Sequence, residues 1–195
     1  MHNPFLIGKK LYLRGLEKAD LEGNYLKWLN DPEVTRFMFT SYFPYPKEKL
    51  EEYYRSMTTS DNNVIFAIVD KETDKHIGNI RLGPIDWIHR VADIGYMIGE
   101  KDFWGKGYTS EAVELVLDYA FSRLNLHKVR GGMVATHKGS LRAAEKGGLR
   151  QEGFGKAEYY RDGTYYDYIR VGICKEDFYT NKAASAGSQQ EKKMS

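Results

Sequence analysis

Tyr96-Met97-Ile98-Gly99-Glu100-Lys101-Asp102-Phe103-Trp104-Gly105-Lys106-Gly107-Tyr108-Thr109-Ser110-Glu111-Ala112 reads as a strand end, a glycine-bearing loop and the first turn of a helix. Glycines let backbone N–H groups approach a ligand closely, and a helix N-terminus presents unsatisfied donors with partial positive charge. A pyrophosphate is the natural ligand of such a cradle. Gly105 and Gly107 also have a plainer use, turning the chain into the helix, and the local pattern supports both. A Walker A loop is excluded, because no Gly-x-x-x-x-Gly-Lys is followed by Ser or Thr. A dinucleotide fingerprint is excluded too: Ser110 stands where the third glycine belongs, and the segment lies behind a hairpin rather than in an opening βαβ unit.

Downstream of the loop, Ala112, Val113, Val116, Leu117, Ala120, Phe121 and Leu124 share one stripe, which predicts a helix over 109–124. Strand texture returns at 128–134, and 140–146 reads as a short helix. Two last strands, 152–160 and 164–174, are joined by Asp162-Gly163, a strong hairpin signal. Upstream, 64–70 and 76–82 predict a second hairpin and 91–98 a further strand. Lys9 to Leu16 alternates as a strand, with Leu11 and Leu13 on one side. Asp20 reads as the N-cap of a helix over 21–30 with Leu21, Tyr25, Trp28 and Leu29 on its apolar face. A second early helix runs over 46–57, started by Pro46. This order fits a mixed sheet with helices on both faces.

The chain has 195 residues, 42% hydrophobic and 29% charged, the make-up of one globular domain. Its 29 Lys and Arg against 27 Asp and Glu leave a net charge of +2, which gives no electrostatic case for nucleic acid or an anionic membrane as partner. Cys174 alone makes neither a disulfide nor a Cys-based zinc site, and the five histidines show no close pair at metal-ligand spacing. No signal peptide opens the chain, and no apolar run approaches the ~18 residues of a membrane span. A soluble cytoplasmic protein without metal is expected. One domain is assigned to residues 1–180. From Asn181 to Ser195 there is no aromatic residue or apolar periodicity, so 181–195 reads as a disordered tail.

Trp104-Gly105-Lys106-Gly107-Tyr108-Thr109-Ser110-Glu111-Ala112 resembles the acetyl-CoA pyrophosphate loop of the GNAT superfamily of N-acetyltransferases. Leu13-Arg14-Gly15-Leu16, Trp28-Leu29-Asn30-Asp31-Pro32-Glu33-Val34, Ile94-Gly95-Tyr96-Met97-Ile98-Gly99 and Lys138 to Lys146 are similar to segments of its RimJ/RimL-like branch. The likeness runs from about Leu11 to Phe178. It implies a GNAT fold: an α/β, mostly antiparallel twisted sheet whose fourth and fifth strands, 91–98 and 128–134, splay to admit the pantetheine arm. Backbone groups of Met97 and Ile98 would then pair with pantetheine. The N–H groups of Phe103, Trp104, Gly105, Lys106, Gly107, Tyr108 and Thr109 would hold the pyrophosphate. Gly131-Gly132 inside a strand fits either close backbone approach or a bulge. His137 stands at the branch's asparagine near the cofactor. Asp102 replaces a donor at the loop start, and Gly147-Gly148-Leu149 replaces Leu-Gly-Phe, a change expected to loosen packing beneath the cofactor.

The implied reaction is acetyl transfer from acetyl-CoA to a primary amine by direct attack in a ternary complex. Attack needs a neutral amine, donors for the charge building on the carbonyl oxygen, and an acid for the departing sulfur. Ser140 is the candidate acid, since the family's helix tyrosine matches Ala144, although Ser140 also suits a helix cap. Asp93 and Glu100 are the candidate bases. A buried Asp93 would have a raised pKa, against the alternative of a solvated or ion-paired strand residue; Glu100 reads more readily as a surface charge, and His89 as a turn residue. The acceptor groove is expected among the early helices, the Phe37–Tyr45 loop and the last hairpin, where Tyr42, Phe43, Tyr45, Tyr159, Tyr160, Tyr165 and Tyr166 lie, while Asp167 either attracts a cationic acceptor or anchors the hairpin. A protein or peptide N-terminus stands first as acceptor by family analogy. Amino sugars, polyamines, small amines and a non-catalytic acyl-CoA sensor remain alternatives, and a homodimer is one option for assembly.

Overall fold

In the computed structural model, which describes residues 1–194 with side chains through 184, eight strands form one sheet in the order β1-β2-β3-β4-β5-β6-β8-β7. They are β1 (Leu6–Ile7), β2 (Leu11–Gly15), β3 (Val64–Asp70), β4 (His76–Asp86), β5 (Val91–Ile98), β6 (Lys128–Val134), β7 (Arg150–Arg161) and β8 (Thr164–Cys174). Neighbouring strands are antiparallel, joined by short turns at β1–β2, β3–β4, β4–β5 and β7–β8 and by longer connections at β2–β3 and β6–β8. The exception is β5 with β6, which are parallel because the chain between them is spent on α3 (Tyr108–Ser122). The two-residue β1 shifts the count, so the expected fourth and fifth strands are β5 and β6.

Each face of the sheet carries helices and its own apolar core. On one face lie Leu13, Phe66, Ile80, Ile94, Val129 and Val171, packed by the stripe of α3 and by Ala144 of α4 (Lys138–Lys146). Ala112, Val113, Val116, Leu117, Ala120 and Phe121 are all fully buried there, as the sequence period predicts. On the other face Tyr12, Ile65, Ala67 and Val69 meet α1 (Tyr25–Leu29) and α2 (Lys47–Thr58). The last hairpin turns through Asp162 and Gly163, both at positive φ (49° and 81°), the geometry that a two-residue turn between twisted strands requires.

Two expectations change. The helix read over 21–30 is instead a 3-10 turn (Lys18–Glu22) and the short α1, separated at Gly23. Asp20 caps no long helix, because its carboxylate is drawn to β2: Arg14 donates to it at 2.7 and 2.6 Å and the Glu17 N–H at 2.8 Å. The segment from Asn181, read as a disordered tail, continues α5 (Lys175–Met194) as helical backbone; Ser195 lies outside the described residues. Ala, Gln, Glu and Lys are good helix formers, and Glu176 and Asp177 complement the first turn.

The Arg14–Asp20 pair is buried, with side chains 9% and 7% exposed. Burial opposes the charge on Asp20. The hydrogen bonds from Arg14, the nearby His76 and the Glu17 N–H outweigh burial and hold the carboxyl below its usual range. A carboxylate with a depressed folded value adds stability that is full above its unfolded value, about 3.9, and is lost as pH falls through the folded one. Asp20→Asn is therefore expected to cost about 3–5 kcal/mol in urea unfolding at neutral pH, because it strands a buried guanidinium. Its deficit against the parent protein should shrink below pH 4.

Candidate active site

The parallel pair is short. Val91, Ala92 and Asp93 of β5 face Lys128, Val129 and Arg130 of β6, and there the pairing stops. Beyond it β5 stays bonded to β4 as far as Ile98, and β6 stays bonded to β8 as far as Val134. The facing edges from Ile94 and Gly131 onward thus have no strand partner, leaving a splayed gap. The β6–β8 register runs without a shift through Gly131 and Gly132, so these residues make no bulge. A Cβ on Gly131 would stand 3.0 Å from the Ile94 carbonyl oxygen at the point of parting, and one on Gly132 would enter the Tyr168 ring.

The open end of β5 leads into the glycine loop. Gly105 and Gly107 have φ of +71° and +87°, and space around both is open, so backbone conformation rather than crowding demands glycine. Gly107 is the N-cap of the fifteen-residue α3. The Trp104 indole donates to the Ile98 carbonyl at 2.8 Å, and Tyr108 donates to Asp70 at 2.6 Å. Burial and that carboxylate push the Tyr108 phenol up to about 12, so it stays a donor. Lys10 Nζ donates to the Lys106 carbonyl at 2.9 Å, and Glu111 accepts the Lys9 and Lys10 amides. Lys9, Lys10, Lys71 and Lys106 line a hollow of about 510 Å³ beside the loop. Sequence reading found Lys106 but not Lys10, which lies 96 residues earlier. Asp102 is exposed, away from any buried contact.

At the mouth of α4, Ser140 is the third helical residue, and His137 is the N-cap without a side-chain cap bond. The capping role for Ser140 is thereby removed. Its Oγ instead lies 3.1 Å from the Tyr96 hydroxyl, which also reaches the Ser140 carbonyl at 3.2 Å. Burial raises the Tyr96 pKa, so its proton is retained at neutral pH. Tyr96 was missed as a site residue, though its place two residues before Ile98 marks it. His137 stacks on Phe37 with centroids 4.2 Å apart; burial and nearby Arg36 lower its pKa and keep it neutral. Gly147 lets α4 approach α3 closely: a Cβ there would fall 2.6 Å from Val113 and 2.9 Å from the Ser110 carbonyl oxygen. The expected loosening beneath the loop is not found.

The candidate bases fare differently. Glu100 accepts from Asn24 at 2.8 Å, Trp28 at 3.0 Å and Lys75 at 2.5 Å. Burial would raise its pKa, but these donors prevail and lower it, so Glu100 ties strand end to α1 and is a poor base. Asp93 is not buried as the base reading requires; its side chain is 41% exposed and takes the Arg130 Nε at 2.7 Å. His89 is an exposed turn residue bonded to Asp86 at 2.8 Å.

A cleft of about 970 Å³ opens on the α1–α2 face over Asp93, Gly95 and Met97. Phe37, Met38, Phe39 and Tyr45 form one wall and Tyr168 and Arg170 another, which matches the expected groove. Of the seven aromatics read for it, Tyr45 alone lines it. Tyr159 is core, Tyr160 and Tyr165 are exposed, and the cleft uses Tyr25, Tyr53 and Tyr168 instead. Asp167 accepts the Ala157 N–H at 2.9 Å and so anchors the hairpin. Among the described residues no group of three or more His, Cys, Asp and Glu side chains is placed to hold a metal ion, and no helix is long and apolar enough to cross a membrane.

A parallel pair that parts beside a glycine turn opening a helix is the geometry on which family comparison turns. The family model described as "Acetyltransferase (GNAT) domain" matches residues 10–150. The chain belongs to the GNAT acetyltransferase family. It is 32% identical over 179 residues to the probable N-acetyltransferase YjcK of Bacillus subtilis, covering 88% of this chain and 98% of that protein. It is 27% identical to the spermidine N(1)-acetyltransferase of Vibrio cholerae, covering 88% and 97%. A crystal structure of spermidine N-acetyltransferase from Vibrio cholerae in complex with CoA and spermine superposes with a TM-score of 0.79 at 27% identity, covering 88% of this chain and 99% of that one. The GNAT sheet with helices on both faces is thus established, and the protein is an N-acetyltransferase.

Valine at Gly107 must adopt a left-handed conformation that costs a β-branched residue about 1–3 kcal/mol. Gly107→Val is expected to weaken acetyl-CoA binding at least tenfold by calorimetry; unchanged affinity would remove this loop as the phosphate site.

Proposed function

We propose that this protein is a cytoplasmic, RimJ/RimL-like enzyme that moves an acetyl group from acetyl-CoA to a primary amine within a ternary complex. The parting of β5 from β6 beside the glycine turn carries this reading. The residues fit the cosubstrate. The turn is open where a Cβ would stand, the N–H groups from Phe103 to Thr109 would hold the pyrophosphate, and Lys106 and Lys10 would add charge. Unpaired edges at Met97 and Ile98 would take the pantetheine arm, with His137 and Ser140 beside it at the start of α4. When bound, acetyl-CoA supplies an activated thioester carbonyl.

Tyr96 keeps its proton and can donate to Ser140 Oγ, which frees the serine proton for a departing sulfur. Donation through a positioned hydroxyl typically contributes 10²–10⁴-fold. Asp93 is one of two carboxylates on the cleft wall, and it is ion-paired with Arg130 at 2.7 Å. It therefore orients the amine and passes its proton to water rather than acting as a strong buried base. Positioning supplies most of the remaining acceleration.

A protein or peptide N-terminus is our first acceptor class. The spermidine-acetylating relatives support a polyamine as the second. A polycation wants free carboxylates. Both carboxylates lining the cleft are already held, Asp93 by Arg130 at 2.7 Å and Glu152 by Lys128 at 2.6 Å, which favours the first class.

Acetyl-CoA-dependent thiol release across N-terminal peptides, amino sugars, polyamines and small amines, with product masses, tests the reading. Turnover on one class establishes the activity; cofactor binding without turnover on any would make the protein an acyl-CoA sensor. Ser140→Ala should lower kcat about 100-fold while acetyl-CoA affinity stays within twofold. Tyr96→Phe, which keeps the packing, should lower kcat about tenfold, the order of one lost hydrogen bond.

A further inference from the structure

The floor of the cleft carries a row of cations, and all but one are neutralised. Lys128 pairs with Glu152, Arg130 with Asp93, and Arg170 with Glu158 at 2.7 Å. The side chain of Arg81, half-buried in the same floor, makes no hydrogen bond or ion pair among the described residues. Its charge lies near the phenols of Tyr25 and Tyr53, which carry no charge at ordinary pH. A half-buried guanidinium without a protein counter-charge keeps its donors for water or a ligand, and a ligand carboxylate would supply the missing counter-charge.

A second orphan lies beside it. Asn79 is 5% exposed and lines the cleft, and its Nδ2 has no partner. The orientation of that amide is fixed by its neighbour. His76 Nε2 lies 2.9 Å from the Gly78 carbonyl and 3.0 Å from Asn79 Oδ1. The Gly78 carbonyl can only accept, so Nε2 carries the proton, and Asn79 must turn its oxygen to the ring and its NH₂ away. Asn79 and Arg81 stand two residues apart on β4, hence on one face and roughly 7 Å apart. Their cross-strand partners on β5 are Met97 and Gly95. At Gly95 nothing lies within 4 Å of where a Cβ would be, so the floor is open between Arg81 and the splayed gap.

We propose that the acceptor's amine is accompanied by a carboxylate, which Arg81 grips through its paired N–H groups while the Asn79 amide donates beside it. Fork-to-carboxylate bonding is the strongest recognition available to such a group. The carboxylate sits about one strand spacing, roughly 5 Å, from the edge where acetyl transfer takes place. A free amino acid and a peptide whose first residue is acidic both present that chemistry. This inference rests on the acetyl-transfer reading above.

The test uses the intact protein, saturating acetyl-CoA and thiol release. Alanine is compared with alaninamide, a peptide amide beginning Asp-Ala-Ala with the same peptide beginning Asn-Ala-Ala, and spermidine serves as a cationic acceptor. In at least one pair the carboxylate member should have kcat/KM at least tenfold higher, through KM. The first pair responding identifies a free amino acid, the second an acidic peptide N-terminus. Arg81→Met should reduce that ratio to below threefold and Arg81→Lys should keep part of it; calorimetry with acetyl-CoA verifies that each variant is folded. Asn79→Leu gives a second route, lowering the ratio without touching the charge. Equal or better turnover of the amides or spermidine overturns the proposal and leaves the acetyltransferase standing, as does a ratio that survives Arg81→Met. Silence on every amine overturns both.

Discussion

Everything distinctive in this molecule depends on a hydrogen-bond ladder that stops after three residue pairs. Two parallel strands joined through a helix would ordinarily zip along their full length, since each buried N–H and C=O needs a partner. Here β5 and β6 are each committed on their outer edges, to β4 and to β8, so neither can bend back to close the gap. Asp93–Arg130 marks the fork, with an ion pair fastening the last joined rung. The unpaired inner edges are available to a ligand because the sheet has no other use for them.

The same fork separates the two faces on which the proposed reaction would place its substrates. Alternation along β5 sends Tyr96 toward α4 and Ser140, while Asp93, Gly95 and Met97 look into the cleft under α1 and α2. In the reaction proposed above, an acetyl group in the gap would be reached from both sides, by a hydroxyl pair from one and by an incoming amine from the other. Glu100 secures this arrangement at a distance: by accepting from Asn24, Trp28 and Lys75 it fixes the strand end to α1 just before the glycine turn. A carboxylate that sequence reading weighed as a base is thus spent on geometry.

Local signals were legible and distant ones were not. The stripe of α3, the β-rich run of β3 and the Asp162-Gly163 turn are written in neighbouring residues, and the mixed sheet with helices on both faces follows from them together with the family likeness. The loop glycines were readable for the same reason. Arg14–Asp20 was misread because a carboxylate six residues after Arg14 looks like a cap until the strand's arginine is seen to turn back. Tyr96–Ser140, 44 residues apart, and Lys10–Lys106, 96 apart, exist only once sheet register sets which side chains meet. Asp93 shows the limit of a periodicity argument: alternation along β5 settles its face, but exposure depends on how far the cleft opens above it.

The contact between the turn before β2 and the glycine loop has a bearing on how the protein is built. Glu111 holds the amides of Lys9 and Lys10 across roughly a hundred positions of chain. Closing so long a span sacrifices much of the freedom of the unfolded polymer and is slow compared with forming a local turn. The glycine loop is therefore braced only where the first and middle parts of the polypeptide meet. An N-terminally clipped chain would contain every loop residue yet lack the clasp that steadies them, so possession of the motif and possession of the site are separate attainments.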